Sequence, residues 1–460
     1  MLTSVIYGRM APAVNRFIFV AGLALSVTLG LTMTLRAADE DFKVYTDPPR
    51  LLLTKQRLRL LQRERERDST RWQQFDALVA GGAPLPEAPL AQALYSQVAG
   101  NAAAGRKAVD WALSDKADAT ADLRQLAFIF DWCAKLMTPA QADRLAAKIE
   151  QGIGAPSKDV SRQSARALAA IAIADHLKDQ GESVLKPLVE DWWRGSSSTA
   201  KPALPREQLY PLFEMLHAIR DNLTIDLRES AFPFFHNLPL DQMAAHYPAP
   251  FPGSDNDFLV PVYTHEGAPS QSDAVHSRAA GFAMVAFDSN ATETQYLQGW
   301  LMQDRFTMRD PLGSVYEFLW ANPYQPGLSY SLLPLVFHNS DAGRFFARTS
   351  WDEDAAWIGF FDGHLQLFRD GKLQALGASV PMLRVGDAVV MGAPAAGPDG
   401  MVKFKAETET TFLLGLAPGA AYDVEIDDEE LSEAVADVGG TVLITLPPET
   451  EAGVRIRKRQ

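Results

Sequence analysis

The sequence has a single cysteine, Cys133, among its 460 residues, so no disulfide can form within the chain. It has no His-Glu-x-x-His motif, no cysteine pair and no regular histidine spacing, which are the usual signatures of a zinc site. It also lacks a Gly-x-Ser-x-Gly elbow, a P-loop and a dinucleotide-binding fingerprint. The sequence therefore predicts chemistry that uses neither a metal nor an organic cofactor.

Positive charge is scarce as well. Lysine and arginine total 43 against 57 aspartate and glutamate, which gives a formal net charge of −14. Bulk electrostatics of this sign oppose binding to nucleic acid and to anionic membranes, so we expect no nucleic-acid partner. An anionic ligand would need a local basic rim, and the arginines between Arg57 and Arg71 are candidates for one. The length is comfortable for two domains.

Long apolar runs are limited to one, at residues 17–35. It follows the cationic side chains of Arg9 and Arg16 and precedes the small pair Ala37-Ala38. This order is typical of an export signal, and the run is also just long enough to span a bilayer. Residues 1–37 are therefore predicted to be a signal peptide or a signal anchor. The remainder is expected in the periplasm or outside the cell, with membrane contact only through that anchor.

Helical periodicity follows up to about residue 335. One strong helix is predicted from Leu123 to Met137, and Thr138-Pro-Ala-Gln141 is a good start signal for the next. The rhythm of helix and short loop indicates antiparallel helical hairpins. Residues 233–273 differ, because their prolines and mixed aromatic and histidine residues predict a long loop rather than a helix.

The period changes from helical to alternating near Asp341. Asp362-Gly363 and Asp370-Gly371 are typical two-residue hairpin turns between short strands. Seven or more such strands indicate an antiparallel β-sandwich. We therefore predict an α+β protein with two domains after the signal, a helical one over residues 38–335 and a sandwich over 341–460.

Three stretches resemble heparinase II/III-like proteins: Asp47-Pro-Pro-Arg-Leu-Leu-Leu-Thr54, Leu126-Ala-Phe-Ile-Phe-Asp-Trp132 with Thr138-Pro-Ala-Gln141, and Arg348-Thr-Ser-Trp351 with Trp357-Ile-Gly-Phe-Phe361. The resemblance implies an (α/α) toroid-like domain packed on the sandwich, and a polysaccharide lyase that cleaves a uronate-containing glycan by β-elimination. Active members carry a histidine-rich strand after the Arg-x-x-Trp segment, whereas this chain has only His364 there. A non-catalytic glycan-binding or structural protein of the cell envelope is therefore the alternative.

A predicted helix over residues 210–222 carries the best candidates for that chemistry. Its polar residues recur at helical spacing and share one face: Tyr210, Glu214, His217 and Asp221. β-Elimination needs a group that screens the substrate carboxylate and a base that removes the neighbouring proton. Arg220 or Asn222 would screen the carboxylate, His217 would take the proton and Tyr210 would return one. The alternative for this face is solvated surface.

The predicted long loop supplies candidates for binding a polysaccharide or oligosaccharide. Its histidine and tyrosine residues, together with an arginine that follows it, suit a binding cleft beside a helical scaffold: His246, Tyr263, His265 and Arg278. Tyr263 is also a second candidate for the base. In the non-catalytic alternative, Trp351, Trp357 and Tyr263 would stack on sugar rings, although buried core is the competing interpretation for both tryptophans.

Overall fold

The computed structural model describes residues 42–179, 181–199, 204, 206–250, 271–304, 311–376, 382–398, 400–406, 410–428, 430–446 and 452–459. Residues 44–460 belong to one compact unit. The predicted signal segment lies outside the described residues. Within those ranges, no helix combines the length and the apolar character that crossing a membrane requires.

Thirteen α-helices occur among the described residues up to Trp320. They are α1 Lys55–Glu66, α2 Thr70–Ala80, α3 Ala88–Ala99, α4 Ala102–Leu113, α5 Leu123–Trp132, α6 Pro139–Ile153, α7 Val160–Ala172, α8 Glu182–Thr199, α9 Leu209–Leu223, α10 Phe232–Ala244, α11 Gln271–Phe287, α12 Thr292–Leu301 and α13 Pro311–Trp320.

Alternate helices pack on one another and form a ring. The order of contact is α3, α5, α7, α9, α11 and α13, and α2 links α13 back to α3. Stacked rings of Phe75 and Phe318, 4.5 Å apart, join α2 to α13 at this closure. Because one helix runs back between successive ring members, their carboxyl ends gather at one end of the ring. This arrangement is the predicted toroid-like helical part.

Local signals explain where several helices begin. Thr138 and Gln141 form the predicted capping box at the start of α6, with a proline in its first turn. Helix α10 corrects the loop prediction, because it runs through Pro233 and Pro239. Pro233 lies in the first turn, where its missing N–H would have had no helical acceptor. Proline count alone was therefore a poor guide to this segment.

Thirteen strands follow in the described part of residues 336–458. They are β1 Val336–Asn339, β2 Arg344–Arg348, β3 Trp357–Phe361, β4 His364–Arg369, β5 Lys372–Leu376, β6 Leu383–Val385, β7 Ala388–Gly392, β8 Met401–Ala406, β9 Thr410–Leu414, β10 Ala421–Ile426, β11 Glu430–Val435, β12 Val442–Thr445 and β13 Ala452–Lys458. Both predicted hairpin turns are present, with positive φ at Asp362, Gly363, Asp370 and Gly371, as a type I′ turn requires.

The strands form three sheets in layers. The first is the meander β1-β2-β3-β4-β5, the second has the order β12-β9-β7-β6, and the third β11-β10-β13-β8. The second sheet lies between the others, since Phe412 packs into a core with the first sheet and Leu413 into a core with the third. All pairs are antiparallel except β7 with β9. The α+β class is confirmed, while the predicted domain boundaries stay a prediction.

Helix α10 joins the helical ring to the first sheet. The indole Nε1 of Trp357 donates to the Ala244 carbonyl at 2.8 Å. Arg348 donates to the carbonyls of Ala244 and His246 at 3.3 and 2.8 Å. Burial lowers the pKa of Arg348 to about 9. The carbonyls at a helix C-terminus carry partial negative charge, so backbone dipoles stabilise this cation, together with the Trp351 ring 4.1 Å from the guanidinium.

Candidate functional site

The best-formed cavity lies at the carboxyl ends of ring helices α9, α11 and α13. Its volume is about 790 Å³, which falls in the range of small-molecule sites. The segment 45–50 and the start of α1 complete its wall. Its polar and charged lining includes Asp47, Lys55, Arg57, Arg220, Asp221, Gln298 and Asn322. The wall therefore carries more cationic than anionic side chains, against the net charge of the chain.

Arg57 is the central cation of this wall. Its guanidinium lies 4.1 Å from the centre of the Trp320 ring, and Nη1 donates to the Leu319 carbonyl at 3.4 Å. Its Nε is buried without a hydrogen-bond partner, and no described carboxylate forms an ion pair with it. Burial lowers its pKa to about 10, although Asp221 acts in the opposite direction. Arg57 is thus a half-buried cation with which no described carboxylate forms an ion pair.

Arg220, the predicted carboxylate-screening residue, lines the same cavity in a rigid setting. Its guanidinium lies 3.8 Å from the centre of the Phe287 ring. Nε and Nη2 both donate to Asp221 at 3.0 Å, and Nη1 donates to the Phe287 carbonyl at 2.6 Å. Most of its donors are therefore occupied, and its charge is offset by Asp221.

His217 lies behind Arg220 and is 1% exposed. Its Nε2 is 3.0 Å from the Ala283 carbonyl, and Nδ1 is 3.3 Å from Nη2 of Arg220. Because a carbonyl only accepts and a guanidinium only donates, the ring is the neutral Nε2–H tautomer. Burial holds its pKa well below the usual range, and Arg57 acts in the same direction. Both nitrogens are engaged within the protein, so the ring orients Arg220.

Asn222 ties the segment 45–50 to helix α9. Its Nδ2 donates to the Arg50 carbonyl at 3.2 Å and to the Ala218 carbonyl at 2.8 Å. Its Oδ1 accepts from the Thr46 hydroxyl. The residue is 4% exposed, so it supports the cavity wall from behind.

Tyr210 lies at the other end of α9 and is 2% exposed. Its hydroxyl accepts from Nε1 of Trp320 at 3.0 Å, and burial raises its pKa well above the usual value. Nearby, Glu214 forms a two-bond ion pair with Arg124, each bond 2.7 Å. Tyr210, Glu214 and His217 of the predicted polar face are therefore buried, which contradicts the solvated-surface alternative for these three residues. Asp221 is half-buried and lines the cavity.

Two of the other predicted binding residues, His246 and Arg278, do not line this cavity. His246 is 2% exposed, bonds through Nδ1 to the Gln242 carbonyl at 2.5 Å and packs on Trp300 at 4.6 Å. Arg278 donates to Glu317 at 2.7 Å. Tyr263 and His265 lie outside the described residues, so their assignment stays a prediction. Trp357 is fully buried and unavailable to stack on a sugar.

Sequence reasoning missed the partners that make Arg57 distinctive. Arg57 stood in the predicted basic rim, but two other members differ from it: Arg65 donates to the Val98 carbonyl at the far end of the helix, and Arg71 forms an ion pair with Glu64 at 3.7 Å. Trp320 and Tyr45 carried no local signal. Within the described ranges, no group of three or more histidine, cysteine, aspartate or glutamate side chains is placed to hold a metal ion.

No protein-family model matches this chain, and no curated protein matches it. Solved structures do match, and one of them is described as a glycoside hydrolase. That likeness covers 81% of this chain and 72% of the other, with 8% sequence identity and a TM-score of 0.31. A score of this size supports no conclusion about function. The resemblance to heparinase II/III-like proteins therefore stays a prediction, and the function is argued from the residues themselves.

Proposed function

We propose that this chain binds a uronate-containing glycan in the cavity at the carboxyl ends of the ring helices. The observation that supports the proposal is Arg57, a half-buried arginine beside Trp320 whose Nε is buried without a hydrogen-bond partner and which forms no ion pair with a described carboxylate. A guanidinium presents paired N–H donors that match a carboxylate. Burying such a cation is unfavourable unless an anion completes it. A ligand carboxylate would supply that anion.

The rest of the wall suits a sugar. Lys55 is exposed at the start of α1 and adds a second positive charge to the approach. Asn322 lines the same cavity and carries an amide group of the kind that binds hydroxyls, whereas Nε2 of the buried Gln298 donates to the Asn322 and Gln325 carbonyls. The volume of about 790 Å³ accommodates more than one sugar unit.

A binding titration with matched variants tests this proposal. Purified protein would be titrated with oligosaccharides of alginate, pectin, chondroitin and heparan, and Kd measured by calorimetry. Arg57→Leu should lose roughly 2–5 kcal/mol of binding free energy, the usual range for truncating one partner of a desolvated charge pair. Arg59→Leu, an exposed arginine on the same helix, is the control and should bind normally. Equal affinity of both variants would contradict the proposal.

Cleavage by β-elimination is the second candidate function. Its support is Arg220, which lies on the same wall as Arg57, so two guanidinium groups could stabilise a carbanion-like transition state. The test is ultraviolet absorbance of the unsaturated product with the same polymers, run with Tyr210→Phe, His217→Ala and Arg220→Leu. If a polymer is cut while the first two variants keep full activity, the assignment of Tyr210 and His217 is wrong. Binding without cleavage by the wild-type chain would favour the non-catalytic function.

Export remains part of the proposal. Residues 1–37 are predicted to direct the chain to the periplasm or the cell exterior, where polysaccharides are encountered. Fractionation of cells that express the full chain, with the N-terminal sequence of the mature protein determined, would test this. A chain that stays in the cytoplasm would contradict it.

A further inference from the structure

One wall of the cavity is not part of any helix. It is the extended segment 45–50, here called the strap, which precedes helix α1. Tyr45, Thr46, Asp47, Pro49 and Arg50 of the strap all line the cavity. The strap therefore contributes a large share of the surface that a ligand in this cavity would touch.

The strap is fixed by buried side chains of two ring helices. Asn222 of α9 holds both the Thr46 hydroxyl and the Arg50 carbonyl. Asp131 of α5 accepts from the backbone N–H groups of Arg50 and Leu51, each at 2.8 Å. Within the described part of the chain, the strap residues between these anchors form no hydrogen bonds of this kind. The path of the strap past the cavity therefore depends on Asn222 and Asp131.

Tyr45 is an exposed aromatic residue on this wall. Its side chain is 73% exposed, although it borders a cavity whose other aromatic residues, Trp320 and Phe282, are buried. Tyrosine offers a flat apolar face and a polar hydroxyl, which complements a sugar ring that has a C–H face and a hydroxylated edge. An exposed aromatic ring at the mouth of a cationic cavity suits a sugar bound next to the charged one.

We propose that the strap is a specificity element of the binding site, in which Tyr45 packs on a sugar ring beside the uronate and Asn222 is the positioning residue that fixes the strap. This inference rests on the proposed function of the cavity. It also gives Asn222 a role different from carboxylate screening, because its amide is committed to the strap and to the Ala218 carbonyl.

Substitutions of Arg57 and of Tyr45 should differ in how their effect on binding depends on the ligand's charge. Arg57 acts on the carboxylate, so Arg57→Leu should weaken binding of a uronate oligosaccharide and have little effect on its carboxyl-reduced counterpart. Stacking on Tyr45 does not require the charge. Tyr45→Ala should therefore weaken both ligands by a similar factor, about tenfold, while Tyr45→Phe keeps most of the affinity.

The positioning role of Asn222 is tested by a double-mutant cycle. If Asn222 acts through the strap, Asn222→Ala should weaken binding, and adding it to Tyr45→Ala should cause little further loss. Thr46→Val breaks the same tie from the strap side, without disturbing the interior of α9, and should reproduce the effect in milder form. Thermal unfolding of each variant confirms that it is folded before titration.

The decisive experiment is calorimetric titration of these variants with tetrasaccharides of alginate and pectate and with their carboxyl-reduced forms. The expected result is loss with Tyr45→Ala on charged and reduced ligands alike, and non-additivity with Asn222→Ala. Wild-type binding that needs Arg57 but is unchanged by Tyr45→Ala would overturn this inference alone. Additive losses for the pair would overturn the positioning role. Failure of the wild-type chain to bind any of the probes would overturn the proposed function, and this inference with it.

Discussion

An arginine at one end of the helical ring and an arginine at the other end differ in how their charges are compensated. At the amino end of α9, Arg124 is bound by Glu214 through two bonds and by Glu87 through a third, each 2.7 Å. Burial lowers the pKa of Arg124, but the two carboxylates outweigh it and raise the pKa well above the usual value. At the carboxyl end, burial prevails and lowers the pKa of Arg57 to about 10.

This difference separates structural charge from charge that is available for a ligand. The Arg124 cluster also takes in the Tyr316 hydroxyl, which donates to Glu87, so it is complete within the protein. At the other end, Arg57 faces a cavity where Arg124 has carboxylates. A half-buried cation that has no ion-pair partner among the described residues is incompletely compensated in the free protein, so this site would gain from an external anion.

The largest expected effect on stability comes from breaking the complete end. Arg124→Leu leaves Glu214, which is fully buried, without its cation, and should lower the free energy of unfolding by roughly 3–5 kcal/mol. Arg57→Leu removes a cation that has no ion-pair partner among the described residues, so it should be close to neutral or stabilising. Urea unfolding of both variants measures the contrast. Equal losses would show that the two arginines do not differ as argued.

A second prediction uses pH to sharpen the same comparison. Burial raises the pKa of Asp131, which anchors the strap, to about 7. The folded state then binds this proton more tightly than the unfolded state, so the contribution to stability is full below pH 3.8 and is lost as pH rises through 7. Asp131→Asn should remove a slope of up to about 1.4 kcal/mol per pH unit across that window.

Two matched variants complete the pH experiment. Arg50 has two acidic partners, Asp131 and Asp175. The Asp175 side chain is mostly exposed, so Asp175→Asn should leave the slope of stability against pH almost unchanged. His246 behaves with the opposite sign, because burial lowers its pKa to about 3, so stability is lost as pH falls from 6.5 toward 3. His246→Gln should reduce this loss of stability at acid pH. Unfolding followed by circular dichroism from pH 4 to 8 separates the three. Identical profiles for Asp131→Asn and the wild type would contradict the assignment.

The sequence predicted the fold better than the site, for a physical reason. Local rules operate within a few residues, so the capping box at Thr138 and Gln141 and the turn at Asp362-Gly363 are confirmed. The spacing of Tyr210 and His217 also correctly placed them on one helix. It did not show that most side chains of this helix are buried in the ring, since that depends on the packing of α7 and α11.

The cavity itself depends on contacts between residues far apart in the chain. Arg57 meets Trp320, and Asn222 meets Thr46 and Arg50, across separations that no local pattern encodes. Arg220 lines the cavity, because a helix end exposes its last turn, while its role in binding stays a prediction. The substrate-binding prediction for His246 rested on its position within the predicted long loop, and the structure puts that residue at the junction with the first sheet.

The smallest expected effect concerns Tyr210, whose hydroxyl connects the two ends of the ring. Tyr210→Phe removes only the acceptor for Nε1 of Trp320, and a neutral hydrogen bond contributes about 1 kcal/mol. Tyr316→Phe removes a bond to the carboxylate of Glu87 and should lower the free energy of unfolding by more, about 1.5–3 kcal/mol. Neither hydroxyl reaches the cavity wall, so glycan affinity should be unchanged in both variants. Urea unfolding and the same titrations measure these quantities together.

One outcome would contradict this prediction: a loss of binding or cleavage in Tyr210→Phe that exceeds its loss of stability. The Tyr210 hydroxyl would then take part in the chemistry, and the active site would lie at the end of the ring where Arg124 is paired with Glu214 and Glu87.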